Sequence, residues 1–366
     1  LALVAAACGG SSEGDETTTT AGSTETTVAG GDTGQAADGE TLATVQARGQ
    51  LKCGVSDSAP GFTNNNPDGS LSGFDVDFCR AVAAAVLGDS EAVEFRQLTS
   101  AERFAALESG EIDVLIRNTT WTQTRDTDLA QDFTATTFYD GQQIMGNPAT
   151  TNLAEGMSFE EGMAAIDGAV VCTNAGTTTE QNIKEGAERA GVNITLSTTE
   201  TFTQAMDGFI AGSCDIVTTD GSGLFGHKSS NIQAGTEGAE DWVIFPEAPI
   251  SKEPLGPVTR QNDSTWFDVV QWTVFSTFAA EELGITSANA STMAAEGGEV
   301  GRLLGGDGEK QTAMGLSADA FLNSISQVGN YGEIYDRNLG PLNLSRDGTF
   351  NEQWYNGGLI YSPPFR

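Results

Sequence analysis

LESGEIDVLIRNTT, residues 107–120, and IAGSCDIVTTDGS, residues 210–222, are two copies of one pattern. In each, helix-like residues stop at a glycine (Gly110, Gly212), an aspartate follows three positions later (Asp113, Asp215), and an apolar run exits into polar residues. Glycine after a helical stretch is a stop signal, and a short apolar run bounded by turn residues reads as a buried strand. Outward from the first copy, residues 51–55 and 93–98 read as strands, and 74–87 and 101–107 as helices. Upstream of the second, 169–172 is strand-like and 179–190 helix-like. The order β-α-β-α-β, met twice, predicts an α/β fold of two similar lobes, each a mostly parallel sheet flanked by helices. Residues 139–146 lead out of the first half and 249–258 lead back, a pair of hinge crossings. The expected boundaries are 42–143 with 256–366 for lobe 1, including a C-terminal helical extension, and 144–255 for lobe 2. In such sheets ligands bind beyond the carboxyl ends of the strands. The polar exits are therefore the places to look: Ser56-Asp57-Ser58, 117–125, 173–179 and 218–222.

With 51 acids against 17 bases and a net charge of −34, the chain would be repelled by nucleic acid and by an anionic membrane surface. The N-terminal run LALVAAA followed by Cys8 reads as the end of a secretory signal peptide (1–8) with a lipoprotein box, although Ala5 stands where leucine is usual. Cys8 is then the expected lipidation site, and the membrane is met only through that anchor. Residues 9–41 hold no Lys, Arg, Pro or aromatic residue. Such a segment buries too little to offset its ordering entropy, so a disordered acidic tether is expected. Setting Cys8 aside leaves Cys53, Cys79, Cys172 and Cys214, which allow three disulfide pairings in an exported protein. No Walker G-x-x-x-x-G-K-[ST] loop, H-E-x-x-H helix or Rossmann glycine fingerprint is recognised, and the single histidine, His227, has no neighbours to complete a zinc set. It reads as an ordinary loop residue. No metal, cofactor or catalytic group is expected.

Arg125, in TQTRDTD (122–128), is out of place. Thr122 and Thr124 followed by Asp126 and Asp128 look like a capped helix start, where the backbone is partly positive and a cation is disfavoured. One reading pairs Arg125 with Asp126, Asp128 or Asp132 on the surface. The other gives it an anion from a ligand, since a guanidinium holds a carboxylate bidentately. Backbone N–H groups near Thr120 and at Gly176-Thr177-Thr178 suit the same anion. Asp220, closing the second-half strand, could take an ammonium with help from the Thr120 hydroxyl.

These segments resemble a known family. GFDVDFCRAVAAAV (73–86), SGEIDVLIRNTTWTQTRDT (109–127), AGTTTE (175–180), CDIVTTDGSGL (214–224), ISKEPLGP (250–257), AEELGITSAN (280–289) and QVGNYGEIYDRNLGP (327–341) are similar to the family 3 extracellular solute-binding proteins, the polar amino-acid receptors of ABC importers. The general L-amino-acid-binding subgroup is the nearest pattern, over about residues 41–366. The resemblance implies the two-lobed periplasmic-binding-protein fold (type II), no catalysis, and a monomer outside the cytoplasm, in the periplasm or at the cell surface. It implies a free L-amino acid as ligand and an ABC permease as partner. Arg125, with the N–H groups of Thr120 and Thr178, would clamp the α-carboxylate; Asp220, Thr120 and the Asn118 carbonyl would hold the α-ammonium. Ser56, Thr177 and Trp121 complete the expected set, Trp121 as a cleft wall. Narrow-specificity relatives carry aromatic plates where this chain has Ser58-Ala59 and Ser100, and losing that stacking fits broad selectivity. Cys53–Cys79 and Cys172–Cys214 are the expected bridges, one inside each lobe, because a cross-lobe bridge would oppose closure. An enzyme on the same fold, of the cyclohexadienyl-dehydratase kind, and an amino-acid sensor ectodomain are the alternatives.

Overall fold

The computed structural model describes residues 37–57, 59–306 and 308–366; Cys8 and most of the expected tether lie outside the described residues. Helix α1 (Glu40–Arg48) takes up the last residues assigned to that tether. Its start is pinned by Asp263, whose carboxylate accepts from the N–H groups of Gly39 (2.8 Å) and Thr41 (3.0 Å).

Strands are numbered in chain order. In lobe 1, β1 (Leu51–Ser56) is followed by a small ladder of β2 (Asn64–Asn65) and β3 (Leu71–Ser72). The lobe 1 sheet adds β4 (Val93–Leu98), β5 (Val114–Leu115), β6 (Gln131–Phe133) and β14 (Val258–Arg260), in the order β4-β1-β5-β14-β6. In lobe 2, β8 (Gln142–Gly146), β9 (Val170–Asn174), β10 (Thr195–Thr199), β11 (Ile216–Asp220) and β12 (Val243–Phe245) run in the order β10-β9-β11-β8-β12. The two sheets have one topology. Each is parallel over its first three strands. In each, the antiparallel strand is the one that enters the lobe from a crossing, β14 or β8. Between the sheets, β7 (Phe138–Asp140) and β13 (Glu253–Leu255) pair with each other, so the two crossings form a single ladder.

The sequence repeat has a structural cause. Gly110 and Gly212 both adopt left-handed backbone, φ 73° and 74°, which lets each chain turn from helix into strand. The aspartates three residues on do the same job in both lobes. Asp113 accepts from Lys52 N–H (2.7 Å) and Asp215 from Val170 N–H (2.8 Å), each tying the central strand to the start of its neighbour.

Around lobe 1 lie α2 (Phe74–Leu87), α3 (Arg103–Glu108) and α8 (Ser264–Glu282). Helix α2 is buried almost throughout, its acidic residues Asp75 and Asp77 held by partners, Asn118 N–H for Asp75 and Arg337 for Asp77. It opens at Gly73 (φ 139°), where a Cβ would lie 2.2 Å from Phe62 O, so only glycine fits. Chain beyond β14 packs on the same core: Phe278, Phe321, Tyr331, Ile360 and Phe365 join one buried cluster with Phe74 and Phe78. Helices α4 (Phe159–Ala165), α5 (Thr178–Ala190), α6 (Phe202–Ile210) and α7 (Gly221–Gln233) flank the lobe 2 sheet. Caps set their starts: Ser158 and Thr201 make capping boxes and Thr177 accepts from Glu180 N–H.

The disulfides join Cys53 of β1 to Cys79 of α2 and Cys172 of β9 to Cys214 before β11, with Cα–Cα distances of 6.1 and 5.9 Å. Neither crosses between lobes. Sequence separations of 26 and 42 residues restrict the unfolded chain enough to stabilise each lobe by about 3–4 kcal/mol in the chain-entropy account.

Candidate functional site

The strand exits of both lobes converge on a cavity of about 70 Å³, lined by Arg125, Thr120, Asn118 and Arg103 from lobe 1 and by Thr178 and Asp220 from lobe 2. The lobes touch across it. Asn174 Nδ2 donates to Ser100 Oγ at 2.8 Å, and the Thr120 and Thr178 hydroxyl oxygens lie 3.5 Å apart.

Arg125 does not begin an α-helix. It sits in a five-residue π-helical turn, Thr124–Asp128, that swings the side chain inward, leaving it 8 % exposed. This overturns the surface-pairing reading: Asp126 instead accepts from Trp121 Nε1 (2.6 Å), and among the described residues no carboxylate forms an ion pair with Arg125. Its Nη1 donates to Thr120 O at 2.7 Å and the guanidinium lies over the Phe104 ring, 5.4 Å from the centroid. Burial brings its pKa down to about 10, with Glu253 and Asp220 holding the charge and Arg117 opposing it. A desolvated guanidinium without a paired carboxylate is a prepared anion site.

Donors for the same anion surround it. Thr120 forms a bridge with Leu255 whose bonds are made by its neighbours, Trp121 N–H to Pro254 O (2.8 Å) and Gly256 N–H to Thr119 O (3.3 Å). That pattern turns the Thr120 N–H away from the ladder. Thr178 is the first residue of α5, where an N–H has no partner within the helix. Thr177, the N-cap, is occupied with Glu180 N–H and contributes position rather than a free hydroxyl.

Asp220 ends β11 at 7 % exposure, and its Oδ1 is buried with no hydrogen-bond partner. Burial raises its pKa well above the ordinary carboxylate value, Asp140 and Glu253 raise it further, and Arg125 and Arg103 lower it. Asp140 and Glu253 face each other directly in the hinge ladder. Each is held by donors: Asp140 by the Ser222 hydroxyl and the Gly141 N–H (2.8 Å), Glu253 by Thr178 Oγ1 (3.0 Å) and Asn182 Nδ2 (2.8 Å). Of these three carboxylates, Asp220 alone has a buried oxygen with no partner. Carboxylate-rich surroundings with one orphaned oxygen suit a cation with several protons, an ammonium.

The structure brings Arg125, Asp220, Asn118, Thr120, Thr177, Thr178 and Ser56 to one cavity. Asn118 adopts a left-handed conformation (φ 33°), with its N–H donating to Asp75 (2.7 Å), a carboxyl that burial pushes up to about 7. Trp121 is not in this wall. It is 44 % exposed and stacks on Phe133 at 6.0 Å, beside a different depression of about 610 Å³. That depression is lined by Asp126, Asp132 and Asp268 and by no cation. Successive side chains of an extended segment point to opposite sides, so Thr120 facing the cleft sends Trp121 outward.

Several lining residues were not anticipated. Arg103 and Arg117 are both buried in the wall, Arg117 donating to Leu98 O (2.9 Å) and pairing with Asp57 at 3.3 Å. His227 is no loop residue: it lies on α7, buried against Phe202 with ring centroids 5.0 Å apart, and burial lowers its pKa to about 4. The expectation that no dinucleotide-binding glycine fingerprint is present is also corrected: GSGLFG (221–226) has that G-x-G-x-x-G spacing, between a strand and a helix. Its glycines answer to packing. A Cβ at Gly221 would lie 2.3 Å from Gln143 Oε1, and one at Gly226 would lie 3.0 Å from Pro60 O. The helix start already holds the Asp140 carboxylate, where a pyrophosphate would have to sit.

Comparison with known proteins gives this architecture a family. The sequence model of the bacterial extracellular solute-binding proteins, family 3, matches residues 51–341. The chain belongs to that family. Among its curated relatives, a glutamate/glutamine/aspartate/asparagine-binding protein of Rhodobacter capsulatus is 44 % identical over 336 residues, 90 % of this chain and 95 % of that one. A general L-amino acid-binding periplasmic protein of Rhizobium johnstonii is 41 % identical over 337 residues, 90 % and 94 % of the two chains. A solved ABC transporter periplasmic binding protein of Brucella ovis, with glutathione bound, is 42 % identical with a TM-score of 0.82, covering 90 % of this chain and all of that one. These relatives are named as binding proteins, the Brucella ovis one as that of an ABC transporter, and none as an enzyme.

Proposed function

We propose that this chain captures free L-amino acids between its lobes and delivers them to an ABC permease. One observation carries the reading: a buried cation without an ion pair, Arg125, and a buried carboxylate with an unused oxygen, Asp220, line one small cavity. That is the complement of a zwitterion. In this reading Arg125 and the N–H groups of Thr120 and Thr178 take the α-carboxylate, and Asp220, the Thr120 hydroxyl and the Asn118 carbonyl take the α-ammonium. Ala59 and Ser100 line the cavity at the positions expected to carry aromatic plates in narrow-specificity relatives, so recognition rests on the main chain and tolerates several side chains. The names of the relatives support amino acids as the class but differ in breadth, from four named ligands to general binding. A thermal-shift screen of the twenty amino acids tests it. Binding to the folded state alone stabilises it in proportion to the logarithm of ligand concentration over Kd. Several L-amino acids should raise Tm and their D-enantiomers should not; a screen in which none does would sink the receptor reading.

The paired crossings of the hinge ladder would let the lobes close on the ligand as rigid bodies, the receptor acting as a monomer. Cys8 would carry the lipid, with the residues between it and α1 as the tether that keeps the receptor beside its permease. Among the described residues no helix is long and apolar enough to cross a membrane. Labelled palmitate should enter the protein in cells and disappear in Cys8→Ser; label that persists in the variant means the anchor is elsewhere.

A further inference from the structure

Once an amino acid's main chain is placed, the cavity holds one cation that the main chain does not satisfy. Arg103 opens α3 and is 3 % exposed. Its Nη1 donates to Ser100 O (2.8 Å) and its guanidinium lies 4.7 Å from the centroid of the Phe104 ring, but its Nε is buried with no partner. Among the described residues no carboxylate oxygen comes within 4.0 Å of it. Arg117 differs, since Asp57 pairs with it at 3.3 Å. Burial first, and then the charges of Arg125 and Arg117, disfavour the Arg103 cation, with Asp220 opposing them. A guanidinium nevertheless keeps its proton in proteins, so the cost stands until an anion or a carbonyl oxygen arrives.

Charge matching then constrains the ligand. Its carboxylate neutralises Arg125 and its ammonium neutralises Asp220, which leaves Arg103 for the side chain. An apolar side chain would seal an unsatisfied N–H in the cavity, and a cationic one would enter a wall that already carries three guanidinium groups. Resting on the receptor reading above, we propose that Arg103 reads the ligand's side chain. Within a tolerant pocket it sets an order of preference: a short side chain ending in a carboxylate first, an amide next, apolar side chains after that, and cationic ones last.

Calorimetric titration of glutamate, glutamine, leucine and arginine into wild type and Arg103→Met tests both halves. Wild type should bind the four in that order. In Arg103→Met, glutamate should lose at least about thirtyfold, the effect of removing one member of a desolvated charge pair, whereas leucine should hold its affinity or gain. Equal losses for glutamate and leucine would make Arg103 a purely structural residue. Leucine or arginine binding wild type as tightly as glutamate would overturn the proposal even if the variant failed to fold. In both of those results amino acids still bind, so the receptor reading survives; wild type binding none of the four would remove that reading and this one together.

Discussion

Arg125→Met is expected to weaken every amino-acid ligand by about thirty- to several-thousand-fold. Removing one partner of a desolvated, hydrogen-bonded charge pair costs roughly 2–5 kcal/mol, and the α-carboxylate is common to all ligands. The loss should therefore be similar from one amino acid to the next, unlike the selective loss expected at Arg103. Arg125→Lys should recover little, because a point charge cannot reproduce the planar fork that bonds Thr120 O on one side and would face the carboxylate on the other. Folding should survive, since the side chain's only hydrogen bond to a fixed group is that one carbonyl and its methylenes are replaced by those of methionine. Isothermal titration with several amino acids measures it. Affinities within about threefold of wild type, less than 1 kcal/mol, would remove Arg125 from the binding site.

Asp220→Asn should move two quantities in opposite directions. The ammonium loses its counter-charge, so affinity should fall by a factor comparable to that at Arg125. Above the folded pKa of Asp220 the ligand-free protein should melt higher, because there the buried carboxylate beside Asp140 and Glu253 is relieved of its charge. The pH dependence follows with its sign. A carboxyl whose folded pKa is raised binds its proton more tightly when folded, so its stability contribution is present below the unfolded value of 3.8 and is lost as pH rises through the folded pKa. Ligand binding runs the other way. Only the ionised form pairs with an ammonium, so affinity should decline as pH falls through the raised folded pKa, with a proton released on binding in that window. Titrations in buffers of different ionisation enthalpy count that proton. No release, together with unchanged affinity in Asp220→Asn, would place the ammonium elsewhere.

What the sequence made legible was local or repeated. The Gly–Asp pattern at 110–113 and 212–215 pointed to two matched lobes because the same backbone turn and the same strand-tying carboxylate occur in both. Arg125 stood out because a cation at an apparent helix start conflicts with the macrodipole. The structure removes the conflict by making a short π-helical turn instead. Arg103 gave no such signal. In AERFAALESG it looks like any helix-surface arginine, and only the fold shows it buried in the cleft wall. His227 likewise has unremarkable neighbours in sequence and is enclosed by Phe202, twenty-five positions away. Trp121 was misplaced for a simpler reason. Its proximity to Thr120 in sequence suggested one wall, although alternation along an extended segment separates them.

The central claim is that both ends of an amino acid's main chain are read in the cleft, and altering the ligand tests it without altering the protein. The tightest-binding amino acid of the thermal-shift screen should be titrated beside its N-acetyl derivative and its α-carboxyl methyl ester. The expected result is a loss of at least about thirtyfold for each derivative, one through Asp220 and the other through Arg125. Either derivative binding within about threefold of the parent, under 1 kcal/mol, would contradict the account.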